Sequence, residues 1–168
     1  RAPCQNDNSI PPLGALPCRR HQTLTFLEDT SDMAALFSAD WMNQLKDAWN
    51  AEPEVSEKLA EINFDSVIYC GFKNEENPRG VFVVEKGQCV RAGAWAESDP
   101  PANWDMRADL DDWLKWVKKG IGMMGLGTSF ATGKLKFKVG DYKAMMKDPR
   151  MANPFVKSFN LMQKKERE

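Results

Sequence analysis

The sequence predicts an α+β domain with a mostly antiparallel five-stranded sheet and helices covering one face. Three observations predict it. Apolar residues recur at helical spacing on either side of the middle of the chain, as with Leu110, Trp113, Leu114 and Val117 at i, i+3, i+4 and i+7. Between residues 66 and 108 the period changes to two, which is the strand signature. Turn chemistry punctuates that stretch: Glu85-Lys86-Gly87-Gln88 reads as a tight hairpin, since glycine tolerates positive φ, and the two prolines of ESDPPAN break the pattern.

In chain order, Ser38 can cap a helix from Ala39 to about Asn50, with Trp41, Leu45, Ala48 and Trp49 on one face. Pro53 ends it, and a second helix carries Val55, Leu59 and Ile62. Strands are expected at Ser66–Lys73, Gly80–Glu85, Gln88–Ala96 and Trp104–Ala108, as an antiparallel meander. In the fourth, Trp104, Met106 and Ala108 face one way and Asp105 and Arg107 the other. A helix follows at 109–119, opened by Asp109 as N-cap and closed by Lys118 and Lys119 before Gly120. Ile121 to Gly133 reads as a Gly- and Met-rich connection. Then comes a strand with Leu135, Phe137 and Val139 on an oily face and Lys134, Lys136 and Lys138 on a cationic one. Gly140-Asp141 launches a short helix carrying Tyr142, Met145 and Met146. Pro149 breaks the chain, and Asn153-Pro154 starts the last helix, with Phe155, Val156, Phe159 and Met162.

Residues 1–32 mix Pro, Asn, Cys and Arg without sustained periodicity and lack a signal peptide's apolar core. They are expected to be a leader, tag or non-native segment outside the fold, with residues 33–168 forming the domain and Met33 its natural start. No run of about 18 apolar residues occurs, so no spanning helix is predicted. Net charge is −1 over 168 residues, and nothing global calls for nucleic acid. The charge is uneven. Asp40 to Asp112 holds 16 acids against 7 bases, and Lys134 to Glu168 holds 10 bases against 4 acids. The basic C-terminal part is therefore the candidate for transient contact with an anionic membrane surface, a solvated strand face being the alternative.

Cys70 and Cys89 fall in strands, where free cysteine acts as a small core hydrophobe, while Cys4 and Cys18 lie in the leading segment. With one histidine, His21, and no Cys-x-x-Cys, no metal and no cofactor is expected, and the cytoplasm is the default compartment. Gly120-Ile121-Gly122-Met123-Met124-Gly125 spells G-x-G-x-x-G but follows a helix rather than a strand, so a dinucleotide site is not supported. Gly133-Lys134 is no P-loop, because Thr128 stands where its first glycine belongs and Leu135 where its Ser/Thr belongs. Asp109, Asp111 and Asp112 are what a helix N-terminus prefers, and Ser129 has no histidine partner in the domain.

Residues 109–146 carry a family resemblance. Phe130, Gly133, Lys134, Leu135, Lys136, Phe137, Lys138, Gly140, Asp141 and Ala144 resemble the F-x-x-GKLKIKGD-x-x-x-A segment of the sterol carrier protein 2 lipid-binding domain, with Val139 as one extra residue. The order of elements agrees over about residues 38–163. The resemblance implies a non-catalytic domain with an apolar tunnel for acyl chains, sterols or similar amphiphiles, between the sheet and the C-terminal helices. The implied ligand-facing residues are Trp95, Trp104, Met106, Trp113, Met123, Met124, Leu126, Phe130, Phe137, Met145, Met146, Phe155 and Phe159.

Composition suits that implication. Six of nine methionines follow Gly122, and methionine adapts its shape at low cost. Two other readings stay open. One is an accessory or oligomerisation domain, a homodimer for instance, whose groove is filled by its own side chains or by a partner. The other is a small enzyme acting on hydrophobic substrates, with Asp105 and Tyr142 as its only acid–base candidates.

Overall fold

The computed structural model describes residues 36–163; the leading segment with Met33, Cys4, Cys18 and His21, and the KKERE tail, lie outside the described residues. Helices α1 (Ala39–Asn50) and α2 (Pro53–Glu61) precede β1 (Ser66–Phe72), β2 (Gly80–Glu85), β3 (Gln88–Ala94) and β4 (Trp104–Ala108). Then come α3 (Leu110–Lys119), α4 (Met123–Ala131), β5 (Lys136–Val139), α5 (Tyr142–Lys147) and α6 (Pro149–Gln163).

The α1 cap is the expected one: Trp41 N donates to Ser38 Oγ at 3.2 Å. One face of the helix then buries Met42, Leu45 and Trp49. Its last residue ties it to the sheet, because Asn50 Nδ2 donates to Cys89 O and Cys89 N donates to Asn50 Oδ1, at 2.9 and 2.8 Å. Pro53 does not merely stop α1; it is the first residue of α2, where its missing N–H costs nothing.

The sheet order is β3-β2-β1-β4-β5. The first three strands form an antiparallel meander, but β4 does not continue it. It lies parallel to β1 on the other side, with Ile68 opposite Trp104, Cys70 opposite Met106 and Phe72 opposite Ala108. The sheet is mixed and mostly antiparallel. The connection after β3 crosses back over the face away from the helices and is pinned there. Tyr69 Oη donates to Pro100 O, Arg91 pairs with Asp99, and Val67 and Asn103 exchange two hydrogen bonds at 2.8 Å. Strand periodicity sets which face a residue takes and says nothing of which strand it pairs with, so the meander was the wrong extrapolation.

The hairpin turn after β2 has φ of +49° at Lys86 and +80° at Gly87, the primed geometry that matches strand twist. Gly87 is also a contact point: a Cβ there would lie 2.3 Å from Ala60 N and 2.4 Å from Ser56 O, and Trp49 Nε1 donates to Gly87 O at 2.9 Å. Between Val83 and Val84 the register shifts, which leaves Val90 bulged outward and exposed.

Three later expectations need correction. Ile121–Gly133 is not a structureless connection; Met123–Ala131 forms α4, because burying Leu126 and Ser129 outweighs the helix cost of Gly125 and Gly127, about 1 kcal/mol each. The last helix begins at Pro149, not after Asn153. Asp148 caps it, accepting from Arg150 N at 3.0 Å, and Pro154 sits in its interior. Asp109 holds the N-cap position of α3, yet its carboxylate bonds no helix N–H and pairs instead with Lys73 Nζ at 2.7 Å.

The helices cover the face presented by Ile68, Cys70, Phe72, Phe82, Val84 and Met106. Trp113 is the hub of one end of that core. It is fully buried, donates from Nε1 to Gly71 O at 3.0 Å, stacks on Phe159 and meets Phe37 and Trp116 edge-on. The opposite face holds a buried ion pair. Arg107 Nε and Nη2 donate to the two oxygens of Asp105 at 2.5 and 2.9 Å, and the guanidinium also bonds the carbonyls of Phe72, Glu75, Glu76 and Asn77. Sequence alternation had put Asp105 and Arg107 away from the core face, which holds, but both are buried there under the 73–79 loop.

Two stability predictions follow from this packing. Gly87→Ala will destabilise the domain by about 2 kcal/mol or more, read as a lowered urea midpoint, because it combines a strained φ with a backbone clash. Arg107→Met will cost about 3–5 kcal/mol by leaving Asp105 buried and unpaired, and the double variant Asp105→Leu/Arg107→Met will recover part of that loss in the same unfolding measurement.

Candidate ligand cavity

The helices do not close fully on the sheet. A cavity of about 60 Å³ remains between them. Its floor is Ile68, Cys70, Phe82, Trp104, Met106 and Phe137 from four strands, with Phe64 from the turn before β1. Its roof is Met42, Leu45 and Trp49 from α1, Leu59 from α2, Met145 from α5, and Met151, Phe155, Ser158 and Met162 from α6. The α6 spacing of i, i+4, i+7 and i+11 keeps its four residues on one helix face.

No charged side chain lines the space. The Ser158 hydroxyl is already used, donating to Phe155 O at 2.6 Å within its own helix. Cys70 is a neutral thiol: burial, reinforced by the Asp105 carboxylate and opposed by Arg107, pushes it up to about 12. Trp49 spends its indole N–H on Gly87 O. The wall can therefore offer dispersion and desolvation, and no clamp for a charged group.

Phe64, Ile68, Trp104, Phe137, Met151 and Phe155 are only half-buried and form the rim. Trp104 is held there by Gly140, where a Cβ would fall 2.3 Å from the indole ring, and it meets Phe137 edge-on. Phe137 continues into an aromatic row with Phe130, Tyr142 and Phe155, in which Phe130 stacks on Tyr142 at 4.2 Å. Burial raises the Tyr142 phenol above its ordinary value.

Five of the thirteen residues expected to face a ligand come together at the cavity: Trp104, Met106, Phe137, Met145 and Phe155. Phe130 and Met146 are half-buried beside it, outside the wall. Trp113, Leu126 and Phe159 are core. Trp95 lies on the other side of the sheet, against Tyr69 at 6.2 Å. Met123 and Met124 are exposed at the start of α4, and Val139 is exposed too, since β5 is a short edge strand.

The α1 and α2 wall was not anticipated, nor were Phe64, Ile68, Cys70, Phe82, Met151, Ser158 and Met162 as lining residues. The helical stripe that exposes Leu45 and Trp49 to the core was legible, but nothing in the sequence tells a cavity wall from ordinary core. Asp105 and Tyr142, the acid–base candidates, do not face one another: Asp105 is locked to Arg107 beneath the sheet, and Tyr142 packs with Phe137 above it.

Among the described residues no group of three or more His, Cys, Asp or Glu side chains is placed to hold a metal ion. Nor is any helix there long and apolar enough to cross a membrane.

Taken together, these features define a class: an α+β domain whose helices stand over one face of a mixed sheet and keep an apolar space beneath them. Among solved structures, the chain is similar to a crystal structure of sterol carrier protein 2, at 16% identity and TM-score 0.60, covering 76% of this chain and 97% of that one. It also matches sterol carrier protein 2 from Yarrowia lipolytica in its apo form (18% identity, 72% and 88% covered, TM-score 0.44). A third match is a UbiJ-SCP2 ubiquinone synthesis protein (13% identity, 85% and 97% covered, TM-score 0.45). No protein-family model and no curated protein matches the sequence. The chain has the sterol carrier protein 2 fold.

The buried thiols give a direct check on the apolar wall. Cys70 and Cys89, both pushed up to about 12, will resist a thiol reagent in the native protein at pH 8 and react on unfolding. Since their folded values lie above the ordinary thiol value of about 9, the unfolded chain releases these protons first, and stability will fall as pH rises from about 9 toward 12, measurable as a declining urea midpoint.

Proposed function

We propose that this domain binds the apolar part of a lipid or similar amphiphile between its sheet and helices α1, α2, α5 and α6, without catalysing a reaction. One observation carries the reading: the space between sheet and helices is walled by sixteen residues, none of them charged. The likeness of fold supports it. A structural core needs no such gap, since interiors are close-packed and each void forfeits contacts.

At about 60 Å³ the cavity is far smaller than the roughly 300–1,000 Å³ of drug-sized ligand pockets, so a chain enters only if the walls part. Their composition makes that cheap. Met42, Met106, Met145, Met151 and Met162 can each change rotamer to follow a ligand's shape. Each buried methylene gains about 0.8 kcal/mol, so about ten buried carbons yield roughly 8 kcal/mol before ordering costs, which leaves micromolar affinity as the natural outcome. With no charged group in the wall and its Ser158 and Trp49 donors already used, the headgroup stays at the rim and is weakly discriminated.

The test is native mass spectrometry for co-purified lipid, followed by titration with a fluorescent fatty acid. Saturable micromolar uptake is expected. Met151→Asp, at the half-buried rim, will weaken it at least tenfold while leaving the far-ultraviolet circular dichroism and melting temperature near those of the parent. Absence of any uptake overturns the reading and leaves a groove filled by its own side chains.

A further inference from the structure

Among the described residues two buried side-chain polar atoms have no hydrogen-bond partner, Ser66 Oγ and Trp95 Nε1. Trp95 lies on the face of the sheet away from the helices, against Tyr69. Ser66 lies on the face that carries the cavity. It opens β1, and strand alternation aligns its side chain with those of Ile68, Cys70 and Phe72. Its cross-strand partner, Val84, is buried in the core on that same face.

The hydroxyl stands between two residues of the cavity rim. Phe64 and Ile68, two residues away on either side, are both half-buried and both line the space. Phe82, opposite Ile68, and Leu59, whose carbonyl accepts from Phe64 N at 3.0 Å, complete that end of the wall. Ser66 itself is 5% exposed and sits just behind the rim, outside the lining. A chain enters only if the walls part, and parting at Phe64, which precedes the strand, uncovers the hydroxyl. Ser158 and Trp49 have used their donors inside the protein; Ser66 has not. A hydroxyl buried with nothing to bond is costly, and an incoming oxygen removes that cost where a saturated chain does not.

We propose that Ser66 is a specificity-determining residue, whose hydroxyl bonds a neutral oxygen at the point where the ligand's apolar part meets its headgroup. The inference rests on the cavity reading and deepens it by naming a chemical class: long-chain alcohols, esters and similar amphiphiles with an uncharged oxygen at the end of the buried chain. An ionised oxygen is the poorer fit, because no charged side chain lines the space and burying a bare charge costs far more than burying a hydroxyl. Ser66 discriminates at that one atom; what lies beyond it stays in water.

Competition against a bound fluorescent fatty acid tests it, on the full chain, with 1-decanol and 1-bromodecane as competitors of equal carbon number. After correction for the probe's own affinity, Ser66→Ala will weaken 1-decanol about tenfold, the effect of one ordinary hydrogen bond, and leave 1-bromodecane within about twofold of the parent. Without ligand, Ser66→Ala will hold its urea midpoint near the parent's or above it, since the substitution removes a polar atom that has no partner in the fold. A clearly lowered midpoint means that the hydroxyl is already bonded within the protein, and it overturns the inference. Unchanged 1-decanol affinity, or an equal loss for both competitors, overturns it too and leaves the cavity reading intact. A parent protein that takes up no probe overturns the cavity reading, and this inference with it.

Discussion

The structure depends on where one buried guanidinium sits. Arg107 is 1% exposed, and the pair it makes with Asp105 consumes part of its hydrogen-bonding fork. The rest is spread over four carbonyls of the 72–77 turn. The arrangement crowds residue 71, where a Cβ would meet the guanidinium at 3.2 Å and Pro78 Cα at 3.1 Å. A pair this deeply buried adds little net stability over an apolar replacement of the same shape. What it adds is position: β4 can lie beside β1 in one register only, with the guanidinium under the turn.

That register builds the cavity floor. Because side chains alternate along a strand, fixing Asp105 and Arg107 beneath the sheet sends Trp104 and Met106 to the upper face, level with Ile68 and Cys70 of β1. A slip by one residue would bring the ion pair into the apolar space and the methionine out of it. Gly71 carries the link further, since its carbonyl accepts from Trp113, and Trp113 stacks on Phe159 of α6, the helix that also supplies four residues of the roof. Floor and roof are thus referred to a common point.

The cavity is apolar, enclosed and lined by pliable side chains, which suits a chain-like ligand of variable shape.

The sequence by itself determined the element types, most boundaries, the Ser38 and Asp141 caps and the Lys86-Gly87 turn, because each of these rests on contacts within a few residues. It also placed Trp104, Met106 and Ala108 on one face of β4 and Asp105 and Arg107 on the other, through the period of two. It missed α4, where glycine content disguised a helix whose stability comes from the burial of Leu126. It also placed the start of α6 too late, by taking Pro149 for a breaker instead of a first helical residue. Tertiary structure alone decided that β4 joins β1 in parallel, that α1 and α2 help wall the cavity, and that Met123 and Met124 stay in water while Met145 and Met151 line the space. Those are choices among partners distant in the chain, and hydrophobic pattern marks a residue as apolar without saying which apolar neighbour it will meet.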